Sequence, residues 1–144
     1  MGTNTNVQGG TSTTTKNPQG PTMTVATDYE NTIVVSDFRK ATTTIEDTNN
    51  PGRYHLAGGT GLAQVEAPYL IVYTESDQSF NISLELEPLA DTRRQAEQYL
   101  MQNLGITQDD MCWLRYAVLV PYEVNQIYAG KNLGFSFCPG ATQL

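Results

Sequence analysis

This sequence of 144 residues predicts an α+β domain: an antiparallel sheet of four or five strands, one main helix packed on one face, and a flexible polar N-terminal tail. Three observations predict it. Tyr69–Tyr73 (YLIVY) and Phe80–Glu87 (FNISLELE) read as strands, the first continuously apolar and the second alternating. Asp91–Leu104 carries apolar residues at three- and four-residue spacing, the signature of a helix with one buried face. Residues 1–24 offer only Val7 and Met23 as sizeable apolar groups and cannot offset their own ordering entropy.

In chain order, residues 1–24 form a Thr/Asn/Gly-rich tether, and residues 25–144 form the single domain. Asn31–Phe38 is the first strand, β-branched at Ile33, Val34 and Val35. The stretch from Arg39 to Gln64 turns polar and Gly-rich and predicts a long exposed loop, with Asn50-Pro51-Gly52 as a turn. Its Gly58-Gly59-Thr60-Gly61 cluster lacks the Gly-Lys-Ser/Thr ending of a phosphate loop, and its role stays open. Tyr69–Tyr73 and Phe80–Glu87 flank six turn-forming residues and make an antiparallel hairpin, with Phe80, Ile82, Leu84 and Leu86 facing the core.

Asp91 opens the helix as a cap and as a charge suited to the positive end of its dipole. Ala96, Tyr99, Leu100 and Leu104 form the buried stripe, and Arg93, Arg94, Glu97 and Gln98 face water. Gly105 is the left-handed terminator, after which Ile106 folds back onto Met101. Thr107 and Asp110 resemble a second capping box, giving one more helical turn to Met111. From Cys112 to Val120 the period becomes two, and Leu133–Cys138 alternates again as a last strand.

Net charge is −7, from eight Lys+Arg and fifteen Asp+Glu, which repels phosphate backbones and anionic lipid. Nucleic acid is therefore not expected as a partner. Residues 41–90 hold seven of the acids and one base, so an acidic face belongs there. No run of the sequence is long and apolar enough to span a membrane, so membrane contact is expected only through an anchor outside it.

The two cysteines, Cys112 and Cys138, could be free, metal-bound or paired. Zinc needs about four ligands, and the sole His55 is the only further soft donor. A nucleophilic cysteine would need the same His55 as its base, and His55 reads as a solvated loop residue. Pairing fits best, because the two sit where neighbouring antiparallel strands would meet; two buried thiols are the alternative. Closing a loop of about 27 residues would stabilise by about 3–4 kcal/mol, and a disulfide implies a compartment outside the reducing cytosol.

The carboxylate pairs Glu75/Asp77 and Asp109/Asp110 lack the alternating ligands of a calcium loop and read as a solvated turn and a helix start. No metal, no cofactor and no catalytic residue is expected. Tyr122, Ile127 and Tyr128 lie in the loop after Pro121, where exposed aromatics would mark a binding surface, with core packing as the alternative.

The segments LGITQDDMCWLRYAVLVPYEVN and YAGKNLGFSFCPGA, within Phe80–Ala141, carry a resemblance. Leu104-Gly105-Ile106, Cys112, Val120-Pro121, Tyr128-Ala129-Gly130 and Phe135–Gly140 look like the C-terminal region of small uncharacterised exported proteins of uncultivated bacteria. That resemblance implies an N-terminal membrane anchor, a polar spacer and a two-cysteine domain, with no activity attached. The expectation is a non-catalytic, extracytoplasmic module at the cell surface or envelope that binds a protein or a surface polymer. The alternative is a structural, pilin-like subunit of a surface filament.

Overall fold

Two successive runs of β-branched residues start the fold, and neither can bury both of its faces alone. In the computed structural model, which describes residues 16–58 and 67–144, Thr22–Ala26 (β1) and Thr32–Ser36 (β2) pair antiparallel as a two-stranded ribbon. Val25, Ile33 and Val35 face the core while Val34 faces out. A 3-10 turn at Phe38–Lys40 then drops the Phe38 ring against Tyr73 and Phe80.

Among the described residues the main sheet has five strands in the order β3 (Ile45–Glu46), β4 (Arg53–Ala57), β5 (Tyr69–Thr74), β6 (Ser79–Leu84) and β7 (Arg115–Leu119). Every pairing is antiparallel except β6 with β7, which is parallel. Helix α1 (Leu89–Leu104) lies between those two strands in sequence and packs on the β5–β6 face. A strand–helix–strand crossover returns the chain in the direction it left, so the pairing has to be parallel. The class is α+β, with the sheet mixed rather than wholly antiparallel.

The face under α1 is the core. Tyr73 lies opposite Phe80, Ile71 opposite Ile82 and Tyr69 opposite Leu84, and Ile82 lies beside Val118. Leu100 and Leu104 complete this layer from the helix, and the Tyr99 hydroxyl donates to the Leu56 carbonyl at 2.9 Å. Helix α1 ends as its sequence dictates. Gly105 is left-handed (φ 68°, ψ 40°), its N–H donates to the Met101 carbonyl, and Ile106 is fully buried. A second helix, α2 (Gln108–Trp113), opens on Thr107, whose hydroxyl accepts from the Asp110 N–H.

Several expectations are corrected here. The tether does not run to Thr24. β1 starts at Thr22, and the Asn17 N–H donates to the Gly105 carbonyl at 2.7 Å, so the chain is engaged with the domain from Lys16–Asn17 on. Residues 1–15 of the expected tail lie outside the described residues, as do Gly59, Thr60 and Gly61 of the glycine cluster. The stretch after Arg39 is no uniform loop but carries β3 and β4. Strand β6 ends at Leu84, which leaves Leu86 exposed. Helix α1 begins two residues before Asp91, with Pro88 at the cap position, and Asp91 instead pairs with Arg94.

The largest correction is at the C-terminus. Leu133–Cys138 is not a strand. The Asn132 side chain accepts from the Val118 N–H at 2.9 Å and donates to the Tyr116 carbonyl at 3.4 Å, and the Leu133 N–H donates to the Val118 carbonyl. One amide side chain thus replaces a partner strand on the outer edge of β7. Arg93 and Glu97, expected in water, are 5% and 3% exposed and hold this segment to α1. The Arg93 guanidinium donates to the carbonyls of Gly134 (3.2 Å) and Thr142 (3.0 Å), while the Glu97 carboxylate accepts from the Ser136 N–H and hydroxyl. A segment without a ladder still needs partners for its buried backbone groups, and these two charges supply them.

Candidate functional site

Because β6 and β7 run parallel, the connections that leave their C-terminal ends, Glu85–Pro88 and Pro121–Lys131, emerge at the same end of the sheet. Pro121 stops β7, since it has no N–H to donate. Its carbonyl accepts from the N–H groups of Val124 and Asn125. The Asn125 side chain in turn accepts from the N–H groups of Ile127 (2.9 Å) and Tyr128 (3.2 Å), an Asx turn that fixes the loop from within. Its amide also donates to the Glu87 carboxylate at 3.5 Å, joining the two connections.

On this frame Tyr122 is 64% exposed and Ile127 74% exposed, whereas Tyr128 is half-buried and packs against the core. The three residues singled out in the sequence share one loop, and two of them face solvent. Leu86, one residue from the tethered Glu87, adds a third exposed apolar side chain that the alternation had assigned to the core. Tyr116 is not part of this surface. It is half-buried, stacks on Phe135 with ring centroids 4.0 Å apart, and burial pushes its hydroxyl pKa up.

Cys112 and Cys138 are bonded to each other, with Cα atoms 5.5 Å apart. The bond does not join neighbouring strands, as expected, but ties the last turn of α2 to the C-terminal turn that ends on Pro139-Gly140. α2 runs to Trp113, so Cys112 is helical and β7 begins only at Arg115. A disulfide persists in a non-reducing environment. No helix among the described residues is long and apolar enough to cross a membrane.

His55 is not a loop residue. It sits within β4, opposite Ile45 and Val72, with its Nε2 atom 3.6 Å from the Asp47 carboxylate. Hydrogen bonds from Asn50 and from the Asn49 N–H hold the Asp47 pKa below the ordinary carboxylate value. Glu75 accepts from Arg39, whose bidentate contact with Asp37 lowers the Asp37 pKa in the same way. Asp77 closes the β5–β6 turn by accepting from Ser79, and Asp110 pairs with Lys16 at 3.1 Å. Among the described residues no three of His, Cys, Asp or Glu come together as metal ligands. No known protein family, curated protein or solved structure matches the chain.

One exposed pair escaped the sequence reading. Trp113 and Tyr29 stand edge to face with ring centroids 5.6 Å apart. The signal was present, because the alternation from Cys112 to Val120 sets Trp113 beside Arg115, on the face away from Leu114 and Val118. The second ring comes from the β1–β2 turn, 84 residues away in sequence, which local pattern cannot place.

Proposed function

We propose that this is a non-catalytic, extracytoplasmic binding module that recognises a protein or a surface polymer through the Pro121–Gly130 loop. The observation that carries the reading is the display of Tyr122 and Ile127 on a backbone fixed by Asn125. Large, stiff apolar groups held in place before contact cost little entropy to bury, which is how interface anchors work. The disulfide supports a compartment outside the reducing cytosol, as an envelope or cell-surface site would be. A filament subunit assembled by strand addition is a weaker reading. The outer edge of β7 is capped by Asn132 and Leu133, and β3 is only two residues long.

The test compares the native chain with a Tyr122→Ser/Ile127→Ser variant. Both side chains are exposed, so the variant should unfold at the same temperature as the native chain and keep its mass by light scattering. Retention on isolated cell-envelope material should fall at least tenfold in the variant, since anchors of this kind contribute about 1–2 kcal/mol each. Equal retention of the two proteins refutes the assignment of this loop.

A further inference from the structure

At the other end of β7, five residues and roughly 16 Å of strand away from the Tyr122 loop, lies a second aromatic surface. Trp113 is 52% exposed and Tyr29 70% exposed. Their planes meet at 80°, so one ring gives its edge to the other and both keep a face in water. The arrangement is built rather than incidental. Tyr29 rides on a turn closed by the Thr27 N–H donating to the Asn31 carbonyl, and Thr27, nearly fully buried, bridges to Leu114. Arg115 fastens the same turn by donating to the carbonyls of Thr27 (3.3 Å) and Asp77 (3.0 Å).

The charges around the pair are mainly negative. Asp28 and Glu30 flank Tyr29 in sequence, both exposed. Asp109 and Asp110 lie four and three residues before Trp113, on the same side of α2. Among the described residues, the cations against these four carboxylates are Arg115, 3.8 Å from Asp28, and Lys16, 3.1 Å from Asp110. The Lys16 contact shows that the first turn of α2 accepts a lysine ammonium. Exposed Trp and Tyr faces attract cations through the ring quadrupole, and an acidic rim strengthens that attraction while excluding anions.

We propose that the Tyr29–Trp113 surface docks a lysine- or arginine-rich segment of a partner protein, with a cationic side chain over the aromatic faces and its neighbours on the carboxylates. This surface is separate from the Tyr122 loop and does not depend on that loop's assignment.

Trp113 is the only tryptophan of the chain, so its fluorescence reports on the site directly. The native protein is titrated with an end-blocked pentalysine peptide, alongside pentaglutamate, tetramethylammonium chloride and sodium chloride at matched ionic strength. The expected result is a saturable change in emission with pentalysine alone. Tyr29→Ala should weaken it about three- to tenfold. Glu30→Gln/Asp109→Asn, which leaves both rings in place, should weaken it about threefold or more, and Tyr122→Ser/Ile127→Ser should leave it unchanged. The proposal is overturned if pentalysine acts no differently from sodium chloride, or if both site variants bind as the native chain does. It is equally overturned if tetramethylammonium saturates the signal while pentalysine does not, or if only the Tyr122/Ile127 variant loses binding.

Discussion

Replacing both cysteines, Cys112→Ser/Cys138→Ser, tests the role assigned to the disulfide. The cysteines lie 26 positions apart, so the bond closes a ring of about 27 residues. In the chain-entropy treatment, ring closure of that size lowers the freedom of the unfolded chain by an amount that stabilises the fold by about 3.5 kcal/mol at 25 °C. Yet the C-terminal segment is also held by Arg93, by Glu97 and by the Leu133–Val118 hydrogen bond, none of which involves sulfur. The variant should therefore keep its native near-ultraviolet circular dichroism at 25 °C. Its urea midpoint should fall by about 2 M and its melting temperature by about 10 °C. Urea unfolding of the two proteins side by side measures the difference. A loss below about 1 kcal/mol, or a variant without native tertiary signal, refutes the reasoning. The unreduced native protein should titrate with no free thiol.

Three further outcomes are expected. Arg93→Met leaves the Glu97 carboxylate buried without its cation and strands the Gly134 and Thr142 carbonyls, so urea unfolding should show a loss of about 3–5 kcal/mol. Asn132→Ala uncovers the Val118 N–H and the Tyr116 carbonyl on the edge of β7; it should cost about 1–2 kcal/mol and give concentration-dependent association by light scattering. Burial pushes the Tyr73 hydroxyl up to about 12, and it pushes Tyr69 and Tyr116 up as well. Each is raised above the value of about 10 for an unfolded tyrosine, so the stability they contribute is complete below pH 10 and is lost as pH rises through the folded values, about 12 for Tyr73. Phenolate absorbance at 295 nm from the buried Tyr69 and Tyr73 should accordingly appear together with alkaline unfolding, not ahead of it.

Where a property is encoded locally, it was legible in the sequence. Gly105, Ile106 and Thr107 give the end of one helix and the start of the next because their roles depend on a few neighbouring backbone groups. The β5–β6 hairpin was legible for the same reason, and the cysteine pair was expected correctly although the neighbouring strands it was placed on are a helix end and a turn. Properties set by distant partners were not. Arg93 and Glu97 read as solvent-facing because their charge is visible and the carbonyls of residues 134 and 142 that need it are not. Leu133–Cys138 alternates like a strand, but an Asn132 side chain takes the ladder positions and turns the chain away. The parallel pairing of β7 was in principle readable from the strand–helix–strand order. Of the exposed apolar residues at that end of the sheet, Tyr122 and Ile127 were placed by the absence of period around them, and Leu86 was misplaced because alternation outlasts the strand by two residues.

The position of the sulfur bridge also decides how the domain would carry mechanical load. Tension entering from the Leu144 side reaches Cys138 after six residues and passes covalently to Cys112. Everything enclosed by that shunt, β7 and the Tyr122 loop included, is taken out of the force path. Pulled from that end, the molecule would hold back roughly 90 Å of slack chain and keep the Pro121–Gly130 loop in shape while α1 bears the strain.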